Sequence, residues 1–376
     1  MVNSENSVRR VTRAAKRKNE SSLLRTPQGN KRRVVLGELT NLPSSPSSSC
    51  RYASSKAKQK RSKPAKNTGS KPVSQITVKA VDHKKKYEPN ADSEDPQMCA
   101  SFASEIYCYL RKLEADPSRI PRSDYLESVQ NDVTSNMRGI LIDWLVEVAD
   151  EYRLLSETLY LTVNYIDRYL STTILHRQKL QLLGVSAMLV ASRKYEEIDP
   201  PNVDKLCYIT DNTYTKQEVM KMESDILNVL KFEVGNPTTK TFLQKLVRVA
   251  QNDFTSAALE LEFLCCYLAD LSLLDYNLVK FLPSMIAASV ILLARYVLRS
   301  NEFPWNTLLE QQSGYKAVDL KHCVLALFDF YVAKREGLSA VKDKYKQHKF
   351  KWVSLAPSPE DIPSLFFENF NPNNTL

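Results

Sequence analysis

The sequence lacks the patterns on which common enzyme chemistry depends. It has no P-loop and no HExxH motif, and its four histidines, at positions 83, 176, 322 and 348, suggest no Ser/His/Asp arrangement. The seven cysteines include no CxxC pair, so we interpret them as reduced thiols that act mostly as small core residues of a cytosolic or nuclear protein. We therefore expect a binding protein without a catalytic residue, a metal or a cofactor.

Long apolar runs are also missing, and most of the chain lacks an excess of positive charge. No run approaches 18 uninterrupted apolar residues and the N-terminus is polar and basic, so neither a membrane span nor a signal peptide is predicted. Residues 1–97 contain 22 Lys and Arg against 8 Asp and Glu, whereas the remainder contains 30 against 35. A nucleic-acid-binding domain would carry its basic surface on the folded part, so no direct nucleic-acid partner is expected.

Residues 1–97 have too few apolar side chains to offset the entropy of ordering, and we predict a disordered basic tail. Two basic clusters, one ending at residue 18 and one at 31–33, are separated by a 12-residue spacer. Such clusters are either a solvated run of charge or a bipartite signal for nuclear-import receptors. In a chain without a secretory signal we favour the second interpretation, which predicts a nuclear protein.

From about residue 98 onward the sequence is typical of amphipathic helices. Only five glycines follow, no Asn-Gly or Asp-Gly hairpin signal occurs, and apolar residues recur at spacings of three and four. Thr215 and Glu218 form a capping box that predicts a helix start. The folded part is predicted to be all-α.

The helical part also repeats. The segment LVEVA at 145–149 recurs as LVRVA at 246–250, an offset of 101. Five further matches share an offset of 103: Asp167, Leu170, Ser186, Leu189 and Ala191 correspond to Asp270, Leu273, Ser289, Leu292 and Ala294. We predict two copies of one helical domain, with the boundary near residues 235–239.

One predicted helix, at 136–148, has two apolar stripes instead of one. Such a helix is either buried on all sides or has one face in the core and one available to partners, and the pattern alone does not decide. The charges of Arg138 and Asp167 fall on apolar faces, and a buried unpaired charge costs several kcal/mol. We therefore predict a structural ion pair between them.

The segments MRGILIDWLVEV, LYLTVNYIDRYLS, KLQLLGVSAMLVAS and KYEEIDPP resemble the cyclin box. YITDNTYTKQEVMKMESDIL is similar to A-type cyclins, particularly the plant group. The resemblance implies a tandem pair of five-helix cyclin boxes at 98–235, with a preceding helix, and at 236–350, followed by a C-terminal tail at 351–376. The stretch ASRKYEEI has one residue more than the family pattern, and this extra residue, Arg193, is expected to bulge the helix end.

The resemblance implies a regulatory subunit that binds and activates a cyclin-dependent serine/threonine kinase. By position, Lys194 and Glu223 match the family's kinase-contacting pair, although an ordinary ion pair at a helix edge would look the same. Apolar kinase contacts are expected from five residues whose alternative is packing against the chain's own box. They are Phe102, Ile106, Tyr109, Leu227 and Phe232.

The resemblance also implies a patch that recruits substrates and inhibitors through Arg-x-Leu segments. It comprises Met137, Ile140, Leu141, Trp144, Glu147, Leu180 and Gln181. On the helix at 136–148, we expect the four apolar members to be partly exposed, while Leu145, Val146 and Ala149 face the core. If Trp144 is simply a core residue, this interpretation of the helix is wrong.

In the tail, Arg33, Leu36 and Asn41 fit RxxLxxxxN, which resembles the destruction box bound by the anaphase-promoting complex. Bare RxxL is common by chance, but a tail ahead of a cyclin box favours this interpretation. The alternative for the whole chain is a tandem-box transcription factor resembling transcription factor IIB. Such factors need a basic fold and usually a zinc ribbon, whereas here the fold is acidic and residues 1–99 contain only Cys50 and Cys99.

Overall fold

A computed structural model of the protein describes residues 100–254, 257–300, 302–333, 335 and 337–367. Within these residues the secondary structure is helical, with no strand. The predicted destruction box, the import signal and the rest of residues 1–97 lie outside the described residues.

The first half is a preceding helix and a short helical turn, followed by five helices. Their bounds are α1 Ala103–Glu114, α2 Tyr125–Ser128, α3 Ser135–Tyr152, α4 Ser156–Leu170, α5 Leu180–Tyr195, α6 Val203–Ile209 and α7 Lys216–Val229. The capping box predicted at Thr215 and Glu218 is confirmed, since each residue's side chain accepts the other's backbone N–H at the start of α7. We call α3 to α7 the first box.

The second half repeats this order. Its five helices are α8 Thr239–Gln251, α9 Ala258–Leu274, α10 Pro283–Leu298, α11 Thr307–Ser313 and α12 Ala317–Val332, and a shorter helix, α13 Ala340–Tyr345, follows. We call α8 to α12 the second box. Both ends of α5 map onto those of α10 at the predicted offset of 103, so the all-α tandem of five-helix units is confirmed.

Each box is built around its third helix. In α5 every residue from Leu180 to Ser192 is buried, and in α10 nearly every residue from Ser284 to Tyr296 is buried. Helices apolar on all sides belong at the centre of a bundle. Gly184 in α5 permits close packing, because a Cβ there would lie 2.9 Å from Leu141 Cδ1. The central helix of the first box is therefore α5, and not α3.

The two stripes of α3 have two different partners. Leu141 and Leu145 face Gly184 of α5, whereas Gly139 lies against the carbonyl of Leu274 and the side chain of Leu338. Thus α3 lies between α5 on one side and the second box with its following segment on the other. This placement accounts for the buried residues of both apolar stripes.

No helix in the part of the chain that the structure describes is both long and apolar enough to cross a membrane.

Candidate functional site

The ends of α5 and α7 bring together a basic and an acidic side chain. Arg193 Nη1 contacts Glu223 Oε1, in an ion pair whose arginine is half-exposed and whose glutamate is mostly covered. Lys194, the residue predicted from the sequence, is exposed, and no hydrogen bond or ion pair to Glu223 is found for it among the described residues. The structure thus gives to Arg193 the position beside Glu223.

The bulge expected at the extra residue is not formed. Helix α5 continues without interruption to Tyr195, and the N–H of Glu196 still donates to the Ser192 carbonyl at 2.8 Å. Helix α5 keeps its register to its end, so that Arg193 faces α7, and the chain turns in the loop that follows. There Asp199 has a φ of 54°, in the left-handed region that non-glycine residues rarely adopt.

Exposed apolar side chains follow on both sides of the ion pair. Ile198 is 88% exposed, and Tyr195 before it is also exposed. At the end of α7, Lys231 and Phe232 both have positive φ, and Phe232 is 67% exposed, while the predicted contact Leu227 is half-buried. Non-glycine residues held in the left-handed region cluster at binding and switch sites.

The sequence interpretation missed Tyr195 and Ile198. A signal was available for Ile198, because an isolated isoleucine between two glutamates and an Asp-Pro-Pro turn has no helix face to join. We call Arg193, Tyr195, Ile198, Glu223 and Phe232 the α5–α7 surface.

Helix α1 has a second exposed apolar stripe. Phe102, Ile106 and Tyr109 are all exposed at helical spacing, so they do not pack against the chain's own box. The opposite side of α1 is fixed to the second box, where the Glu114 carboxylate accepts the N–H of Ser284 at 2.9 Å and its hydroxyl at 2.6 Å. No hydrogen bond or ion pair between described residues connects this stripe to Arg193 or Glu223.

The predicted substrate patch is only partly at the surface. Met137, Ile140 and Trp144 are half-buried and Glu147 is exposed, and their spacing of three and four places them on one stripe of α3. We call these four residues the α3 stripe.

Three other predicted patch members are buried. The expectation that Leu141 is partly exposed is wrong, because it is 0% exposed and packs against Gly184. Leu180 and Gln181 are buried because they form the first turn of the central helix α5. Buried side chains at these positions cannot line the surface of the α3 stripe.

Arg138 and Asp167 form the ion pair that the sequence predicts. Arg138 Nε and Nη2 donate to the two carboxylate oxygens of Asp167, each at 2.7 Å, and the Tyr125 hydroxyl donates at 2.8 Å. Arg138 Nη1 also donates to the Leu273 carbonyl in the second box. Burial disfavours the charged guanidinium, yet the Asp167 carboxylate more than offsets it, and the pKa of Arg138 is raised.

A carboxylate of α3 also holds the segment that follows the second box. Asp143 accepts the N–H groups of Ser339 and Ala340 at 3.1 Å, at the start of α13. Burial raises the pKa of Asp143 to about 6, and the neighbouring Glu147 carboxylate adds to the rise. Since Asp143 lies on the side of α3 away from α5, it connects α3 to the segment that follows the second box and is not a docking residue.

The described residues contain no cluster of His, Cys, Asp or Glu that could hold a metal ion. The five cysteines among them are free thiols.

Comparisons with known proteins agree with this architecture. The family described as "Cyclin, N-terminal domain" matches residues 105–235, and "Cyclin, C-terminal domain" matches residues 237–359. A viral cyclin from herpesvirus saimiri has a similar structure, with a TM-score of 0.51 at 23% identity, covering 65% of this chain and 99% of that one. The chain therefore belongs to the cyclin family.

Within the family, the chain is similar to plant cyclins, several of them named as A-type. Cyclin-A3-4 of Arabidopsis thaliana is 49% identical over 370 residues, which is 98% of each chain. Cyclin-A3-1 of Oryza sativa subsp. japonica is 59% identical over 278 residues, or 74% of each chain. The G2/mitotic-specific cyclin C13-1 of Daucus carota is 51% identical over 351 residues, covering 91% of this chain and 98% of that one. The resemblance to plant A-type cell-cycle cyclins is thus confirmed.

Proposed function

We propose that this chain is the activating subunit of a cyclin-dependent serine/threonine kinase and that the α5–α7 surface is its kinase-docking site. The observation that carries the proposal is the Arg193–Glu223 pair at the edge of an exposed apolar surface. Ile198 and Phe232 are 88% and 67% exposed, and exposed apolar surface bordered by charged residues is typical of protein interaction sites. The stripe of Phe102, Ile106 and Tyr109 would add apolar area to the same complex.

The activating step is binding and needs no chemistry from this chain. A kinase alternates between inactive and active arrangements of a mobile helix and activation segment. A subunit that binds the active arrangement more tightly shifts the population toward it, by as much as the difference between the two affinities. The rigid five-helix box suits this role because α5 and α7 hold Arg193 and Glu223 in place before the kinase arrives.

The test is to recover the tagged chain from cycling cells and assay the bound material for histone kinase activity. We expect a co-purifying protein kinase whose activity depends on the chain. Recovery of TATA-box DNA-binding factors without kinase activity would instead support the transcription-factor alternative.

For substrate recruitment, we propose that the α3 stripe holds segments of the form Arg-x-Leu, in substrates and in inhibitors. Apolar side chains of Met137, Ile140 and Trp144 would take the leucine, and the exposed carboxylate of Glu147 would pair with the arginine. Support comes from their shared stripe and their partial exposure.

For turnover, we propose that Arg33, Leu36 and Asn41 are a destruction box for the anaphase-promoting complex. Arg33→Ala combined with Leu36→Ala should lengthen the half-life of the chain at mitosis in synchronised cells, because the degradation signal is removed. An unchanged half-life would refute it. The double variant Val34→Ala with Val35→Ala is the matched control and should be degraded normally.

We further propose that the basic clusters near residues 18 and 31–33 direct nuclear import. Replacing the arginines of both clusters should move a fluorescent fusion to the cytoplasm. A fusion that stays nuclear would refute this assignment.

A further inference from the structure

The second box has a counterpart of the α5–α7 surface, and the chain covers it with its own C-terminal segment. At the offset of 103 that joins α5 to α10, Arg193 corresponds to Tyr296. Helices α7 and α12 start at an offset of 101, so Glu223 corresponds to Val324, which is fully buried. The charged pair of the first box is thus replaced by apolar side chains.

Residues 361–367 lie on this face. The Tyr296 hydroxyl donates to the Asp361 carbonyl at 2.7 Å, and the Tyr296 ring meets the ring of Phe366 edge-on at 5.2 Å. The ring of Phe303, in the loop after α10, also packs edge-on against the Phe366 ring, with 5.6 Å between the ring centroids. The helical turn at Ser364–Phe367 also packs against α12.

The segment contacts the box through three buried apolar anchors. Ile362, Phe366 and Phe367 are buried, at 4%, 8% and 5% exposure, whereas Leu365 between them is 60% exposed. Residues Ser358 and Glu360 before it are exposed and belong to no helix. The segment is therefore joined to the preceding part of the chain by an irregular, exposed connection. An extended connection followed by a few buried apolar anchors is the arrangement of a short recognition motif in a groove.

We propose that this face of the second box is a peptide-binding site for segments of the form Ile-Pro-x-x-Phe-Phe, and that residues 362–367 are its resident ligand. A partner segment of the same chemistry would bind there by displacing the chain's own. The inference concerns α10 and α12 and is independent of kinase binding by the first box.

The test inserts a protease-cleavage sequence between Pro357 and Ser358, both exposed, in the full chain. The protein is folded, cut, and mixed with a labelled peptide of residues 358–367, and binding is followed by fluorescence anisotropy. We expect the labelled peptide to bind the cut protein and to bind the uncut protein at least tenfold more weakly, because the uncut chain keeps its own segment in place.

Two peptide variants make the test specific. Phe366→Ala should weaken binding at least tenfold, and Leu365→Ala, which changes an exposed neighbour of similar size, should bind within twofold of the original. The proposal is overturned if the cut protein takes up no peptide, or if the two variant peptides bind equally. Loss of helical circular dichroism on cutting would also overturn it, since the segment would then be part of the core.

Discussion

The first box leaves exposed the faces that the second box covers. The end of α5 carries Arg193 in solvent, whereas its counterpart at the end of α10, Tyr296, is under the C-terminal segment. On the first helices, at an offset of 101, Trp144 and its counterpart Lys245 are both half-buried, and Lys245 Nζ lies 3.7 Å from the Tyr107 ring centroid of α1. Two copies of one fold thus differ mainly in what the chain's extensions cover, and the uncovered copy is the candidate for docking partners.

The two boxes also stabilise an equivalent buried carboxylate with different hydrogen-bond partners. Asp167 in α4 and its counterpart Asp270 in α9 both accept a tyrosine hydroxyl at 2.8 Å. Asp167 also accepts two hydrogen bonds from the Arg138 guanidinium. Asp270 instead accepts one hydrogen bond from Lys344 and one from a second tyrosine, Tyr345. The second arrangement depends less on any single cation.

The largest expected effect comes from this difference. Arg138→Ala should lower the free energy of unfolding by about 3–5 kcal/mol, because it leaves the Asp167 carboxylate buried without its cation. Lys344→Ala should cost only about 1 kcal/mol, since both tyrosine hydroxyls remain on Asp270 and the lysine is itself partly exposed. Urea denaturation of both variants measures the comparison, and equal losses would contradict it.

The next effect tests which cation docks on the kinase. Arg193→Glu should weaken the kinase complex by about 2–5 kcal/mol, because it sets two carboxylates against each other at a surface that binding desolvates. Lys194→Glu is the matched control on the neighbouring residue and should change affinity far less. Binding is measured by calorimetry at matched helicity.

A double variant sharpens this result. Arg193→Glu combined with Glu223→Arg restores the pair with reversed polarity, and it should recover stability of the free chain without fully recovering kinase affinity. A complex weakened by Lys194→Glu and indifferent to Arg193→Glu would return the docking role to the residue predicted from sequence.

On the α3 stripe, Trp144→Ala should weaken phosphorylation of substrates that carry an Arg-x-Leu segment by about thirty-fold in KM, equivalent to about 2 kcal/mol. Activity on a short peptide without the segment should stay nearly unchanged, because the kinase interface is elsewhere. Both substrates are measured with one preparation of the complex. An equal loss on both would mean that Trp144 serves only the core.

The smallest effect concerns the contact between α3 and α13. A carboxyl whose folded pKa is raised to about 6 binds a proton in the folded state that it lacks in the unfolded state, so its stabilising contribution is present at low pH and is lost as pH rises through about 6. Wild type should therefore lose about 1 kcal/mol between pH 5 and pH 7.5 that Asp143→Asn does not lose. Asp150→Asn, on the exposed side of α3, is the control and should behave as wild type.

Much of this fold could be predicted from the sequence because helical period, capping and internal repeat are local signals. Thr215 with Glu218 marked a helix start, and the offset of 103 marked the second box. Arg138 and Asp167 could be paired because two buried charges on apolar faces need each other.

The rest depended on packing between distant elements. Two apolar stripes on α3 do not say which neighbour each one meets, and the burial of Leu141 followed from the absence of a side chain at Gly184, 43 residues away in sequence. Likewise, an extra residue in ASRKYEEI can be absorbed by a bulge or by a loop. Only the continuous α5 shows that Arg193 faces Glu223.

The most direct test of the account is hydrogen–deuterium exchange of the full chain with and without a cyclin-dependent kinase. We predict that the kinase slows exchange around Arg193 to Ile198, in α7 near Glu223 and Phe232, and in α1, while residues 296–303 and 361–367 of the second box keep their rates. Slower exchange confined to the second box, or no change in the first, would contradict the claim that the uncovered box is the one that docks.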